Sequence, residues 1–194
     1  MINPIDEKTI SGLKAYFEFT LNDTRRPGMQ RVLHELDNGG FFQSPASSRH
    51  HLAFAGGLLK HSVNVYQAAI SLTKMEPHLL YEDDSLAIAC LLHDVCKMGR
   101  YKACHDGTRP YDTDYADAPY GGHGEKSVMM LQTWGLRMSE EEMAAIRWHM
   151  GAWGLNTNFY EEVVCYQTAI KKFPLVTIVQ MADQYAAHIL ERNC

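Results

Sequence analysis

Apolar side chains recur along this chain mostly at three- and four-residue intervals, a spacing that predicts helices almost throughout. Ile5, Ile10, Leu13, Tyr16, Phe17 and Phe19 mark a helix over 5–21, ended by Asn22-Asp-Thr-Arg-Arg-Pro-Gly. Met29, Val32, Leu33 and Leu36 set out a second, stopped at Asn38-Gly-Gly. Phe41 to Arg49 reads as a loop leading into His50-His51. Gly56-Gly57 then opens a helix over 58–70 with His61 in its first turns. Small residues at a helix start let a neighbouring backbone or a ligand come close. Further on, the pattern predicts a central helix over 83–98, N-capped by Asp83-Asp84-Ser85 and stopped by Gly99. Helices over 123–135, 140–150, about 159–171 and 174–191 follow, the second of them capped by Ser139 and its three glutamates.

No convincing strand pattern, repeat or low-complexity tract interrupts this series. Tyr101 to Gly122 is polar, rich in Asp, Tyr, Gly and Pro, and long for a connection inside a compact domain, which marks it as a lid or mobile segment. The expected fold is therefore all-α: about eight helices in a single domain over 1–194, with 1–40 a helical appendage packed on it.

One stretch stands apart. Ala87-Ile-Ala-Cys-Leu-Leu-His-Asp-Val-Cys-Lys-Met is apolar enough to be buried, yet it carries His93, Asp94 and Lys97. Read as a helix, Asp94 and Lys97 are three apart and His93 and Lys97 four apart, so all three lean toward one spot. Burying a carboxylate is costly unless something positive holds it, and a metal ion does that well. Alone, such a pair reads best as a core histidine beside a capping aspartate. The other histidines and acids of the chain change that reading.

Composition narrows the options. The chain has 194 residues, 46% hydrophobic and 21% charged, which is ordinary for a globular domain able to enclose a core. A net charge of −5 gives no global attraction to nucleic acid or to an anionic membrane, so a polynucleotide partner is not favoured. The first residues lack the pattern of a signal peptide, and no apolar run reaches the roughly 20 residues that span a bilayer. The five cysteines (90, 96, 104, 165 and 194) are odd in number and form no CxxC pair. They read as free thiols of a reducing compartment, and the expected location is the cytoplasm. Ten histidines are many for this size and hint at metal.

His61, His93, Asp94, His123, His149 and Asp183 sit at helix starts or on otherwise apolar helix faces, nearly all on different helices. Convergence of such residues in a bundle core is how helical proteins build metal sites. Four imidazoles and two carboxylates exceed what one catalytic ion with an open position needs, and suit two ions bridged by a carboxylate. Nitrogen and oxygen donors without thiolate favour Fe, Mn, Ni, Co or Zn.

The order His … His-Asp … Asp, with Leu-Leu-His-Asp-Val-Cys-Lys at its centre, resembles the HD superfamily of metal-dependent phosphohydrolases over about residues 40–190. Pro45-Ala-Ser-Ser-Arg-His-His … Gly56-Gly-Leu-Leu-Lys-His is similar to the HD domains of bacterial 3′–5′ exoribonucleases and conjugative relaxases. The resemblance implies an HD-domain helical bundle in which His61, His93, Asp94 and Asp183 hold a first ion. Asp94 would bridge to a second, completed by His123 and His149, and Lys97 would neutralise a substrate phosphate. Asp94 and Lys97 are thus the expected catalytic residues, and His50, His51 and Arg147, with Lys97, the expected substrate contacts. The implied reaction is hydrolysis of a phosphomonoester or phosphodiester, a nucleotide or other small phosphoester, by a metal-activated hydroxide. The alternatives are a di-iron oxygenase of the same fold and a nuclease acting on single strands. The substrate, the metal and the oligomeric state stay open.

Overall fold

A computed structural model of the chain describes residues 6–76, 78, 81–105, 108–114 and 122–192. Among these, eight α-helices run α1 (Glu7–Asp23), α2 (Met29–Asn38), α3 (Gly57–Met75), α4 (Asp83–Leu92), α5 (His123–Thr133), α6 (Glu140–Trp148), α7 (Tyr160–Lys172) and α8 (Pro174–Tyr185). A short ribbon, β1 (Tyr101–Ala103) with β2 (Tyr111–Thr113), lies between α4 and α5.

Helix α4 is the axis of the bundle. Every residue from Ser85 to Leu92 is buried, as a helix that is apolar all round requires. α3, α6 and α8 all pack on α4, and α8 also packs against both α3 and α6. Phe17 and Leu21 of α1 and Val32 and Leu36 of α2 are wholly buried in the same hydrophobic cluster as Leu58, Leu91 and Val179. The N-terminal helices therefore share the core of the bundle.

Helix α6 starts with a reciprocal cap, in which Ser139 Oγ accepts the Glu142 N–H at 3.2 Å and the Glu142 carboxylate accepts the Ser139 N–H at 2.8 Å. The buried Glu142 carboxylate also accepts from Ser85 Oγ (2.7 Å) and pairs with Arg26 (2.7 Å), tying α4, α6 and the α1–α2 connection at one point. Ser85 is thus spent on α6. Glu82, just before α4, makes no side-chain cap, and Asp83 and Asp84 favour the positive helix end from its first turn.

Three expected elements take a different form. The predicted helix over 83–98 stops at Leu92, Asp94 leaves the helical region (φ −114°, ψ 21°), and Val95–Lys97 forms a 3-10 turn. On an uninterrupted helix, consecutive side chains diverge by about 100°. Breaking the helix lets His93 and Asp94 face the same space. The predicted helix over 174–191 likewise ends at Tyr185 and continues as a π turn, Ala186–Leu190. Within the expected loop over 101–122, β1 and β2 pair antiparallel, Tyr101 opposite Thr113. Three residues per strand are too few to show an alternating pattern. Tyr111 N–H donates to Ser48 O at 3.2 Å, which holds the ribbon against the loop carrying His50 and His51. Residues 106–107 and 115–121 of that stretch, like Ile5 of the first expected helix, lie outside the described residues.

Two glycines set backbone-to-backbone distances that place functional side chains. A Cβ on Gly57, at the start of α3, would lie 2.0 Å from Leu52 O, so α3 enters directly against the loop that holds His51. A Cβ on Gly124 would lie 2.1 Å from Arg147 O, so α5 meets α6 with no side chain between them. Replacing Gly124 with alanine must push the two helices apart. We expect Gly124→Ala to cost about 1–3 kcal/mol of stability, typical of overpacking. Urea denaturation measures this, and an unchanged midpoint would show that the helices do not pack this closely.

Candidate metal centre

Four helices, one of them broken at its end, bring five polar side chains to a single buried spot. His61 comes from the second turn of α3, His93 caps α4, Asp94 follows it, His149 caps α6, and Asp183 lies in the last turns of α8. None is more than 7% exposed.

The hydrogen bonds of the three rings fix which nitrogen faces inward. His93 Nδ1 lies 2.8 Å from Cys90 O, and His149 Nδ1 lies 2.7 Å from Ile146 O. A carbonyl oxygen only accepts, so in both rings Nδ1 carries the proton and neutral Nε2 keeps its lone pair. His61 Nδ1 faces both oxygens of Glu191, at 3.0 and 3.2 Å. Nε2 of all three rings and Oδ1 of Asp94 are buried without a hydrogen-bond partner. Native cores rarely leave buried polar atoms unpaired, and four together point to a ligand.

The spacing suits a divalent cation. His61 Nε2 lies 3.1 Å from Asp183 Oδ1 and 3.8 Å from Asp94 Oδ2. His93 Nε2 is 3.3 Å from Asp94 Oδ2, and His149 Nε2 is 3.6 Å from Asp94 Oδ1. Nitrogen and oxygen donors bound at about 2.0–2.2 Å to one ion stand roughly 3.0–3.5 Å apart; the contacts of His61 with Asp183 and of His93 with Asp94 match this, and those of Asp94 with His149 and His61 are slightly wider.

Electrostatics match this geometry. Burial alone would raise the Asp94 carboxyl, but the Lys97 ammonium, 2.6 Å from Oδ2, holds it well below the usual carboxylate range. Asp183 is also buried, and His61 draws its carboxyl down. Burial would lower His61, yet the carboxylates of Asp183 and Glu191 on either side raise it to about 10. Without a cation, the centre therefore carries a proton on His61.

His123 opens α5, half-buried, and its donor atom lies within 4.8 Å of those of Asp94 and Cys96. Its Nδ1 is 3.7 Å from Cys96 Sγ, and burial depresses its pKa to about 4. His149 meets the same distance limit with His93 and Asp183. The resemblance implies that His123 and His149 complete a second ion site; the structure also sets Cys96 beside His123.

The expected substrate contacts fall in different places. His50 and His51 line a cleft of about 810 Å³, with Ser47, Ala187, His188, Glu191 and Arg192. Ser47 Oγ holds the turn by accepting the His50 N–H (2.9 Å) and donating to His51 O (2.8 Å). Leu52, next to it, sits at φ +48°, a strained conformation for a branched side chain. The His51 ring lies 5.0 Å from that of His61. Arg147 is committed elsewhere. Its guanidinium stacks 3.9 Å above Trp148 and pairs with Glu125 (2.5 Å) and Glu162 (2.9 Å), and its place in the outer α5–α6 groove is not on the cleft.

Sequence reasoning missed Glu191. It follows Asp183 by eight residues, about 80° round an ideal helix, which hides any shared face. The π turn between them adds residues to the last turn and brings both carboxylates to His61. Asn64, one turn after His61 on α3, donates to Glu191 Oε1 at 2.9 Å.

The sequence profile of the HD domain matches residues 58–188, most of the chain. This chain belongs to the HD domain family. No curated protein and no solved structure matches it. HD domains bind divalent metals, and the match spans His61, His93, Asp94, His123, His149 and Asp183. It ends before Glu191, whose role in this HD domain rests on geometry alone.

Two predictions follow from the His61 environment. A carboxylate behind a metal-binding imidazole fixes its orientation and raises its basicity. Glu191→Gln keeps the volume but removes the charge, so metal affinity, measured by competition with a chelator, should fall roughly 10–100-fold. Unchanged affinity would mean that Glu191 does not orient His61. The second concerns pH. The folded pKa of His61 lies above its ordinary 6.5. Its proton thus stabilises the metal-free protein fully below that pH, and the stabilisation is lost as pH rises through about 10. Metal must displace this proton, so binding tightens across the same window. Thermal melts without metal at stepped pH should fall in wild type and flatten in Glu191→Gln. Parallel profiles in the two proteins would refute the assignment.

Proposed function

We propose that this HD domain is a metal-dependent phosphohydrolase cleaving a phosphomonoester or phosphodiester, with a nucleotide or other small phosphoester as substrate. His61, His93, Asp94 and Asp183 would hold one divalent cation, and Asp94 would bridge to a second near His123 and His149. The observation that carries this reading is that the buried Nε2 of His93 and of His149 and Oδ1 of Asp94 have no hydrogen-bond partner, while the Asp94 carboxylate lies 3.3 Å from His93 Nε2, 3.6 Å from His149 Nε2 and 3.8 Å from His61 Nε2.

Bound divalent cations supply a water acidified toward neutral pH and positive charge for the phosphoryl oxygens. The chain supplies the rest. Asp94, kept ionised by Lys97, presents one oxygen toward His61 and His93 and the other toward His149. Carbonyls 90 and 146 and the Glu191 carboxylate aim the three rings, so no reorientation is needed when charge develops. Lys97, almost buried and kept protonated by Asp94, adds a fixed positive charge beside the reacting phosphoryl group. The cleft at His50 and His51 has the volume of a small-molecule site and shares His51 and Glu191 with the surroundings of His61. Such a cleft suits the leaving portion of a small phosphoester better than a long polynucleotide, in keeping with the net charge of −5.

A panel of nucleotides and small phosphoesters tests this reading on protein loaded with Mn, Fe, Co, Ni or Zn. We expect hydrolysis that a chelator abolishes and added metal restores. Lys97→Ala should retain metal while losing roughly 10²–10³-fold in rate, the value of one electrostatic donor. Full activity of Lys97→Ala, or turnover that needs dioxygen and a mixed-valent iron pair, would overturn the hydrolytic assignment.

A further inference from the structure

Cys96 lies two residues beyond Asp94 and behaves unlike the other buried thiol. Cys90, one turn from the end of α4, belongs to the hydrophobic cluster of the bundle. Cys96 is equally buried but is absent from both hydrophobic clusters. Its sulfur faces an imidazole nitrogen, His123 Nδ1, at 3.7 Å, and stands within 4.8 Å of a carboxylate oxygen of Asp94. A buried cysteine acting as a small hydrophobe would face apolar atoms instead.

The placement follows from how the chain turns. The 3-10 turn Val95–Lys97 redirects the backbone after Asp94, and the Cys96 N–H donates to Ser127 Oγ on α5 at 3.3 Å. Ser127 is four residues after His123, on the same face of α5. One face of α5 therefore anchors the backbone of Cys96 while meeting its sulfur with an imidazole.

The distance is informative. A thiolate at about 2.3 Å and an imidazole nitrogen at about 2.0–2.1 Å from one tetrahedral ion stand roughly 3.5 Å apart. The Sγ···Nδ1 separation of 3.7 Å is close to that edge. The same carboxylate carries a second observation: Asp94 Oδ1 is buried without a hydrogen-bond partner, as is Nε2 of His149, 3.6 Å from it.

We propose that Cys96 binds the second cation as a thiolate, together with His123 and Asp94, making this a mixed sulfur, nitrogen and oxygen site. On binding, the thiol proton passes to solvent and the sulfur lone pair forms the bond to the metal. Thiolate selects softer ions, so the second position takes zinc, cobalt or ferrous iron in preference to magnesium or manganese. The sequence expectation of two sites without thiolate is thereby revised for one of them. The inference rests on the metal-dependent reading above, but its test reads the metal directly.

X-ray absorption on zinc-loaded wild-type protein should show a sulfur shell at about 2.3 Å beside the nitrogen and oxygen shell. In Cys96→Ser the sulfur shell should vanish, and the second equivalent of zinc should bind at least roughly tenfold more weakly. Cobalt-loaded wild type should show a thiolate-to-metal charge-transfer band that the variant lacks. Zinc with only nitrogen and oxygen neighbours in wild type would overturn the proposal, even if Cys96→Ser failed to fold. A sulfur shell that persists in Cys96→Ser would overturn it too. Hydrolysis without zinc–sulfur bonding would remove the thiolate alone. Zinc–sulfur bonding without hydrolysis would remove the phosphohydrolase reading alone.

Discussion

A carboxylate held where water does not reach sets the terms for this structure. Asp94 is about as buried as any side chain in the bundle and stays ionised there. A lone buried charge of that kind would cost several kcal/mol, enough to undo much of a domain's net stability. Partners must therefore surround it, a charged lysine and inward-facing imidazoles, and the fold supplies them from every side. Lys97 comes from the same turn, His93 from the residue before, His61 from α3 and His149 from α6. The hydrophobic core does not oppose this arrangement. It strengthens the pull of the carboxylate on positive charge by excluding the water that would screen it.

The helices are built around that demand. α4 stays apolar on all faces until Leu92 and then ends, because a continuous helix would turn Asp94 away from His93. α6 ends at His149, whose ring is steered by the carbonyl one turn back, and α4 does the same with His93. Using the last free carbonyls of a helix to aim an imidazole satisfies two orphaned groups at once. α8 loosens into a π turn just beyond Asp183, which lets Glu191 reach the back of His61. Gly57 and Gly124 lack side chains where the first and second halves of the site come together, so helix backbones can approach to contact. The break after Leu92 and the π turn after Asp183 each fall beside a residue of the candidate centre, as expected where local geometry serves a site.

The two halves of the candidate centre differ in donor chemistry. His61, His93 and Asp183 offer only nitrogen and oxygen, while Cys96 adds a polarisable sulfur on the His123 side of Asp94. A bridging carboxylate between unlike sites would let two cations differ in kind as well as position. The cleft at His50 and His51 opens beside the harder set of donors.

Much of this was legible along the chain. The spacing of apolar residues determined an all-α bundle, because helical periodicity is a local property that each segment carries by itself. The buried run ending in His93-Asp94 marked the centre, since an acid and a histidine in such a run need a partner. Other features depended on the assembled fold. The break after Leu92, the pairing of His123 with Cys96 and the diversion of Arg147 to Glu125 and Glu162 are not set by neighbours in sequence. Glu191 looked unrelated to Asp183 because its alignment depends on a π turn that packs against α3. The sequence by itself determined which residues had to be buried and which of those carried chemistry. Tertiary structure decided which of them meet, because a meeting of side chains from distant helices is set by backbone contacts that no single segment encodes.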